Sequence, residues 1–135
     1  PYAYSEVANQ GRASFQFLVP CQAEVRAWAH VYDPGVGFSA LDFSDPDSFR
    51  VAFDGEGDTE WWYGCQMADA AISGSAWSWE QLMDNAWCAS DEIRRTLSPG
   101  THLLHLTNRE AGNLGTASVA AVTRVVVTSD PAYVP

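Results

Sequence analysis

The chain has 135 residues, 47% of them hydrophobic, and a formal net charge of −10 carried against seven arginines and no lysine. That length fits one domain with a real core. So acidic a surface repels nucleic acid and anionic membranes, and no apolar run is long enough for a membrane-spanning helix, so neither partner is expected.

Residues 1–10 are polar and unpatterned, and read as an N-terminal segment ahead of one domain over 11–135. Gly11 to Val19 alternates, with Ala13, Phe15, Phe17 and Val19 on one side: a half-buried strand that Pro20 ends. Gln22 to Tyr32 is a second strand. Its small face is Ala23, Val25, Ala27, Ala29 and Val31. Its other face, Glu24, Arg26, Trp28, His30 and Tyr32, is too aromatic for an ordinary solvent face. Either another layer covers it or a ligand does. Asp33 to Asp47 is rich in Gly, Pro and carboxylates, as loops are. Ser48 to Asp54 is a third strand with Phe49, Val51 and Phe53 inward, and Asp54 to Asp58 is a turn.

Thr59 to Cys88 concentrates the unusual chemistry. Five of the six tryptophans lie there: Trp61, Trp62, Trp77, Trp79 and Trp87. Trp61 and Trp62 are adjacent, so an extended backbone sends them to opposite sides, one to the core and one outward. Trp77 and Trp79 share a side of a strand over Ser75 to Glu80. Glu80 to Ala86 reads as a helical turn. Beyond it lie a turn at Ser98 to Gly100, a strong strand over Thr101 to Asn108, a polar turn, and a last strand over Ser118 to Thr128. Short strands between turn signals, with little helical periodicity, predict an all-β chain folded as an antiparallel β-sandwich or jelly roll.

Three cysteines are an odd number. Cys65 and Cys88 flank Trp77 and Trp79 and are read as a disulfide. It closes a loop of about 22 residues, worth roughly 3 kcal/mol. Cys21 is then left as a buried thiol or as the partner of another segment; the alternative is three reduced thiols in a cytosolic protein. There is no C-x-x-C motif or histidine cluster for zinc. The acid groups Asp42/Asp45/Asp47 and Asp54/Glu56/Asp58 lack the spacing of an EF-hand loop and read as solvated turn residues. No nucleophile elbow, P-loop or Cys–His signature is present, so an enzyme is not expected.

The ordered set of segments resembles a known family. V-P-C-Q-A-E-V-R-A-W-A-H-V-Y, D-S-F-R-V-A-F-D-G, W-S-W, L-S-P-G-T-H-L-L-H-L-T-N-R-E-A-G-N and the ending V-T-R-V-V-V-T-S-D-P-A-Y-V-P are similar to strands of carbohydrate-binding-module-like sandwiches. These are galactose-binding-like jelly rolls of the family 6 and 35 type, found in secreted bacterial proteins. The resemblance covers roughly residues 11–135. It implies a secreted or cell-surface domain that binds a polysaccharide or other glycan without catalysis. Such modules usually begin with a further strand carrying Glu-x-Glu, which helps hold a structural calcium. Here that strand is not seen, and Thr123 stands where the ending usually has Asp, so no cofactor is expected, a structural calcium being the alternative that the resemblance leaves open.

A sandwich without its first strand exposes an edge. Residues 1–10, another domain or a second chain could complete it, which keeps a self-assembling filament or surface-layer subunit as the alternative, with strand sharing or a disulfide between chains. For glycan binding, flat aromatic faces and nearby polar groups are needed. The candidates are Trp28, His30, Trp61, Trp62, Trp79, Arg109 and Glu110. The resemblance and spacing favour Trp77 and Trp79 as a buried framework ladder. Arg109–Glu110, following a strong strand, reads as an ion pair bracing its turn, the alternative being Arg109 donating to sugar hydroxyls. The narrowest candidate surface is one of Trp61 and Trp62, with Trp79 facing Trp28, His30 and Arg109 across a sheet.

Overall fold

The computed structural model describes residues 1–33, 46–63, 76–84, 91–112, 114–116 and 119–135. These build an antiparallel β-sandwich of eleven strands in chain order: β1 (Ala3–Tyr4), β2 (Arg12–Val19), β3 (Ala23–Asp33), β4 (Ser48–Phe53), β5 (Thr59–Trp62), β6 (Ala76–Gln81), β7 (Met83–Asp84), β8 (Asp91–Glu92), β9 (Arg95–Leu97), β10 (Gly100–Asn108) and β11 (Ala121–Thr128). A short 3-10 helix, Leu114–Thr116, precedes β11. The first sheet runs β1-β11-β3-β6, with β9 also on β3; the second runs β2-β10-β4-β5. β7 and β8 pair as a small third ladder packed against β5.

The alternation along β2 and β3 decides which face goes inward. The small residues Val25, Ala27, Ala29 and Val31 of β3 are buried and meet Phe49, Val51, Phe53, Leu104 and Leu106 of the second sheet. Small side chains on one sheet against large ones on the other fill the space between them. With its alanines and valines inside, β3 must turn Trp28, His30 and Tyr32 outward.

Trp61 is 0% exposed. Its ring lies 6.2 Å from Phe49 and 5.3 Å from Tyr63. The Tyr63 hydroxyl donates to the Tyr32 carbonyl at 2.9 Å, joining the end of β5 to the opposite sheet.

The N-terminal segment is more than a polar leader. Ala3 and Tyr4 pair with Val122 and Ala121 at the edge of β11. Asn108 Nδ2 donates to the Val7 carbonyl at 2.9 Å, and the Gly112 amide donates to the Glu6 carbonyl at 3.1 Å. Gly11 makes the crossing from β1 to β2: its φ is +78°, and a Cβ there would stand 2.6 Å from Ser5 Cβ.

Met83–Asp84 pairs with Asp91–Glu92, so the described part of the expected helical turn at Glu80 to Ala86 is strand. The cause is β3, which is longer than any one partner. β6 covers Trp28 to Asp33 and β9 covers Ala23 to Val25. At the join, the Leu82 amide donates to the Ala27 carbonyl at 2.9 Å and Ile93 donates to Leu82 at 3.1 Å. Backbone pairing there outweighs local helical preference. Cys65, Cys88 and Trp87, and with them the expected disulfide, lie outside the described residues, as does most of the loop from Asp33 to Asp47. Cys21 is an exposed free thiol between β2 and β3.

Candidate functional site

Outward from the first sheet, β3 and β6 place their large residues side by side. Tyr32 is registered with Trp77, His30 with Trp79, and Trp28 with Gln81. The His30 ring stacks on Trp77 at 5.5 Å and lies 5.1 Å from Trp79. Tyr32 is 5.4 Å from Trp77 on one side, and Tyr2, from the segment before β1, is 5.8 Å away on another. Trp77 keeps 37% of its surface exposed and Tyr2 keeps 50%. A contiguous aromatic surface results. The expected buried ladder of Trp77 and Trp79 does not form. Trp79 is half-buried beside His30, Trp77 is exposed, and both lie on the outer face, because Trp79 pairs with an outward residue of β3.

Beside this surface β11 carries a bulge. Val122 is registered with Val31 and Arg124 with His30, leaving Thr123 as the extra residue. Bulges re-aim side chains. Here Thr123 Oγ1 lies 2.8 Å from His30 Nδ1, which fixes the ring, and Arg124 stands exposed next to it. Pro1, His30, Trp77, Thr123 and Arg124 line an open depression of about 440 Å³. A second hollow of about 170 Å³ lies across Trp77, lined by Tyr2, Tyr32, Leu114, Val119 and Ala121. Farther along β3 the face becomes polar, with an Arg26–Glu92 ion pair at 2.8 Å. Trp28 is half-buried, and its indole nitrogen has no hydrogen-bond partner among the described residues.

Trp62, Arg109 and Glu110 belong to the opposite side of the molecule. Arg109 stacks on Trp62 at 4.3 Å and pairs with Glu110 and, at 3.4 Å, with Glu60. Glu110 accepts from Ser48 Oγ at 2.8 Å and from the Asp47 amide at 3.1 Å. Burial pushes the Glu110 carboxyl above the usual range; the Ser48 and Arg109 contacts work against that. This network braces β4, β5 and the turn after β10. Its cation already stacks on its indole, so the pair offers no free ring face on that side.

The seven predicted residues therefore separate. Trp28, His30 and Trp79 share the outer face of the first sheet, Trp61 is sealed in the core, and Trp62, Arg109 and Glu110 lie on the second sheet. Arg109 does not face Trp79. Trp77, Tyr2, Thr123 and Arg124, which were not among the predicted residues, adjoin the face of Trp28, His30 and Trp79. Their grouping depends on the β3–β6 register and on a bulge, and neither leaves a mark in residue spacing. The acids of the Asp54 to Asp58 turn pair with basic side chains. Asp54 meets His102 at 2.8 Å, Glu56 meets Arg95 at 2.5 Å, and Asp58 meets Arg12 at 3.9 Å. No group of three or more metal-ligating side chains occurs among the described residues.

A scan against protein-family models finds no match, and a search of curated proteins finds none either.

Proposed function

We propose that the chain is a non-catalytic carbohydrate-binding β-sandwich, secreted or cell-surface, whose glycan lies across Trp77. The observation that carries this reading is the aromatic surface of Tyr2, His30, Tyr32, Trp77 and Trp79, open to solvent on an otherwise acidic molecule. Exposed aromatic patches of this kind bind something. A flat indole suits the apolar C–H face of a pyranose, and His30 and Thr123 supply polar atoms beside it. The resemblance to carbohydrate-binding modules agrees with this reading. Affinity electrophoresis against a panel of polysaccharides tests it. Wild type and Trp62→Ala are retarded by the same glycan and Trp77→Ala is not. Free migration of wild type through every gel would end the proposal.

One observation favours a second reading, self-assembly. Beyond its two pairs with β1, the outer edge of β11 has no neighbour among the described residues. Val125 and Val127 near that edge, and Phe15 and Phe17 on β2, are only partly buried. A second copy could add a strand there. Light scattering over a concentration series, oxidised and reduced, separates the readings; a monomer throughout excludes assembly.

A further inference from the structure

We infer that the glycan on the Trp77 face carries an anionic group, and that Arg124 is the residue that binds it. This rests on the reading of that face as a glycan surface. Six of the seven arginines are paired with carboxylates: Arg12 with Asp58, Arg26 with Glu92, Arg50 with Glu60, Arg94 with Glu92, Arg95 with Glu56, and Arg109 with Glu110. Arg124 alone has no acidic partner among the described residues. Scarcity of acids is not the cause, since the chain has 17 acidic residues against 7 basic ones. Its position is the cause. The bulge at Thr123 sets Arg124 opposite His30 on the outer face, in the depression it shares with Trp77. No aspartate or glutamate is among the described residues lining either hollow.

Neutral sugars are gripped largely through hydroxyls, which both donate and accept, and carboxylates serve well as their acceptors. This face instead offers a permanent cation whose planar fork matches two oxygens of a carboxylate or sulfate. A pyranose stacked on Trp77 would bring a substituent at its rim to Arg124, with His30 adjoining. The ligand class is therefore a uronate or a sulfated sugar.

Two matched pairs of probes distinguish these sources: polygalacturonate against its methyl ester, and dextran sulfate against dextran. Binding is measured by titration calorimetry. The wild-type chain is expected to prefer the anionic member of one pair by about 10-fold or more, the scale of a lost charge-assisted hydrogen bond. Arg124→Gln abolishes the preference, Arg124→Lys restores part of it, and Arg12→Gln, an equal change of net charge on the other sheet, leaves it intact. The pair that shows the preference identifies carboxylate or sulfate. Equal binding within both pairs, or a preference that survives Arg124→Gln, overturns the inference. If Trp77→Ala still abolishes that equal binding, the glycan reading stands without it. Absence of binding to any glycan overturns both.

Discussion

Trp61 and Trp62 are neighbours in sequence and sit on opposite surfaces of one sheet. Their separation was legible from strand parity alone, because adjacent residues of a strand face opposite ways. What parity cannot give is the cover on each side: Phe49 and Tyr63 over Trp61, Arg109 over Trp62. Trp61→Ala is expected to lower unfolding free energy by about 3–5 kcal/mol in urea titration, the usual cost of emptying a large aromatic site. Glu110→Ala removes the carboxylate that Arg109, Ser48 and the Asp47 amide share, leaving Arg109 its longer contact with Glu60. A loss of about 3 kcal/mol is expected by the same assay, the scale for breaking a buried ion pair. A pH effect is expected from His102. Its hydrogen bond to Asp54, and next its contact with the Ser98 carbonyl, raise its pKa; the same His102 bond, then the Leu103 amide, lower that of Asp54. The histidine contribution is complete below its unfolded pKa and is lost as pH rises through the raised folded value. The aspartate contribution is present above its unfolded pKa and is lost as pH falls through the lowered one. Thermal unfolding of wild type against His102→Gln should therefore differ most near about pH 5–6 and converge in mild alkali.

At the scale of the element, β3 is the strand from which the rest of the fold can be understood. Its sequence states both faces: alanine and valine inward, large aromatic residues outward. The neighbours are not stated. Pairing with β6 turns three isolated side chains into a surface with Trp77 and Trp79, and the β11 bulge adds Thr123 and Arg124. The sequence favours W-S-W as a framework ladder over a platform, and only its partner strand decides between them. The two-residue β1 and three-residue β9 escaped notice because so few residues show no period. The bulge gives a test of its own. Thr123→Val keeps the shape but removes the oxygen that holds His30 Nδ1. A stability change of about 1 kcal/mol is expected, with glycan affinity several-fold weaker by calorimetry. Unchanged affinity would mean that His30 needs no fixing.

For the whole molecule, strand patterning was enough to identify an antiparallel β-sandwich, since burial of one face per sheet dictates alternation and alternation is visible in the sequence. The location of a site was not, because two outer faces both carry tryptophan: one closed by Arg109, the other open around Trp77. Of the two proposed readings, glycan binding and self-assembly, the first makes the sharper demand on a single surface. Each of the six tryptophans contributes one indole N–H signal in a nitrogen–proton correlation spectrum. Titration with a short oligosaccharide of the best-retained glycan should move the signals of Trp77 and Trp79 while those of Trp61 and Trp62 stay in place. Shifts confined to Trp62, or no indole shift under saturating ligand, would contradict a glycan site on the Trp77 face.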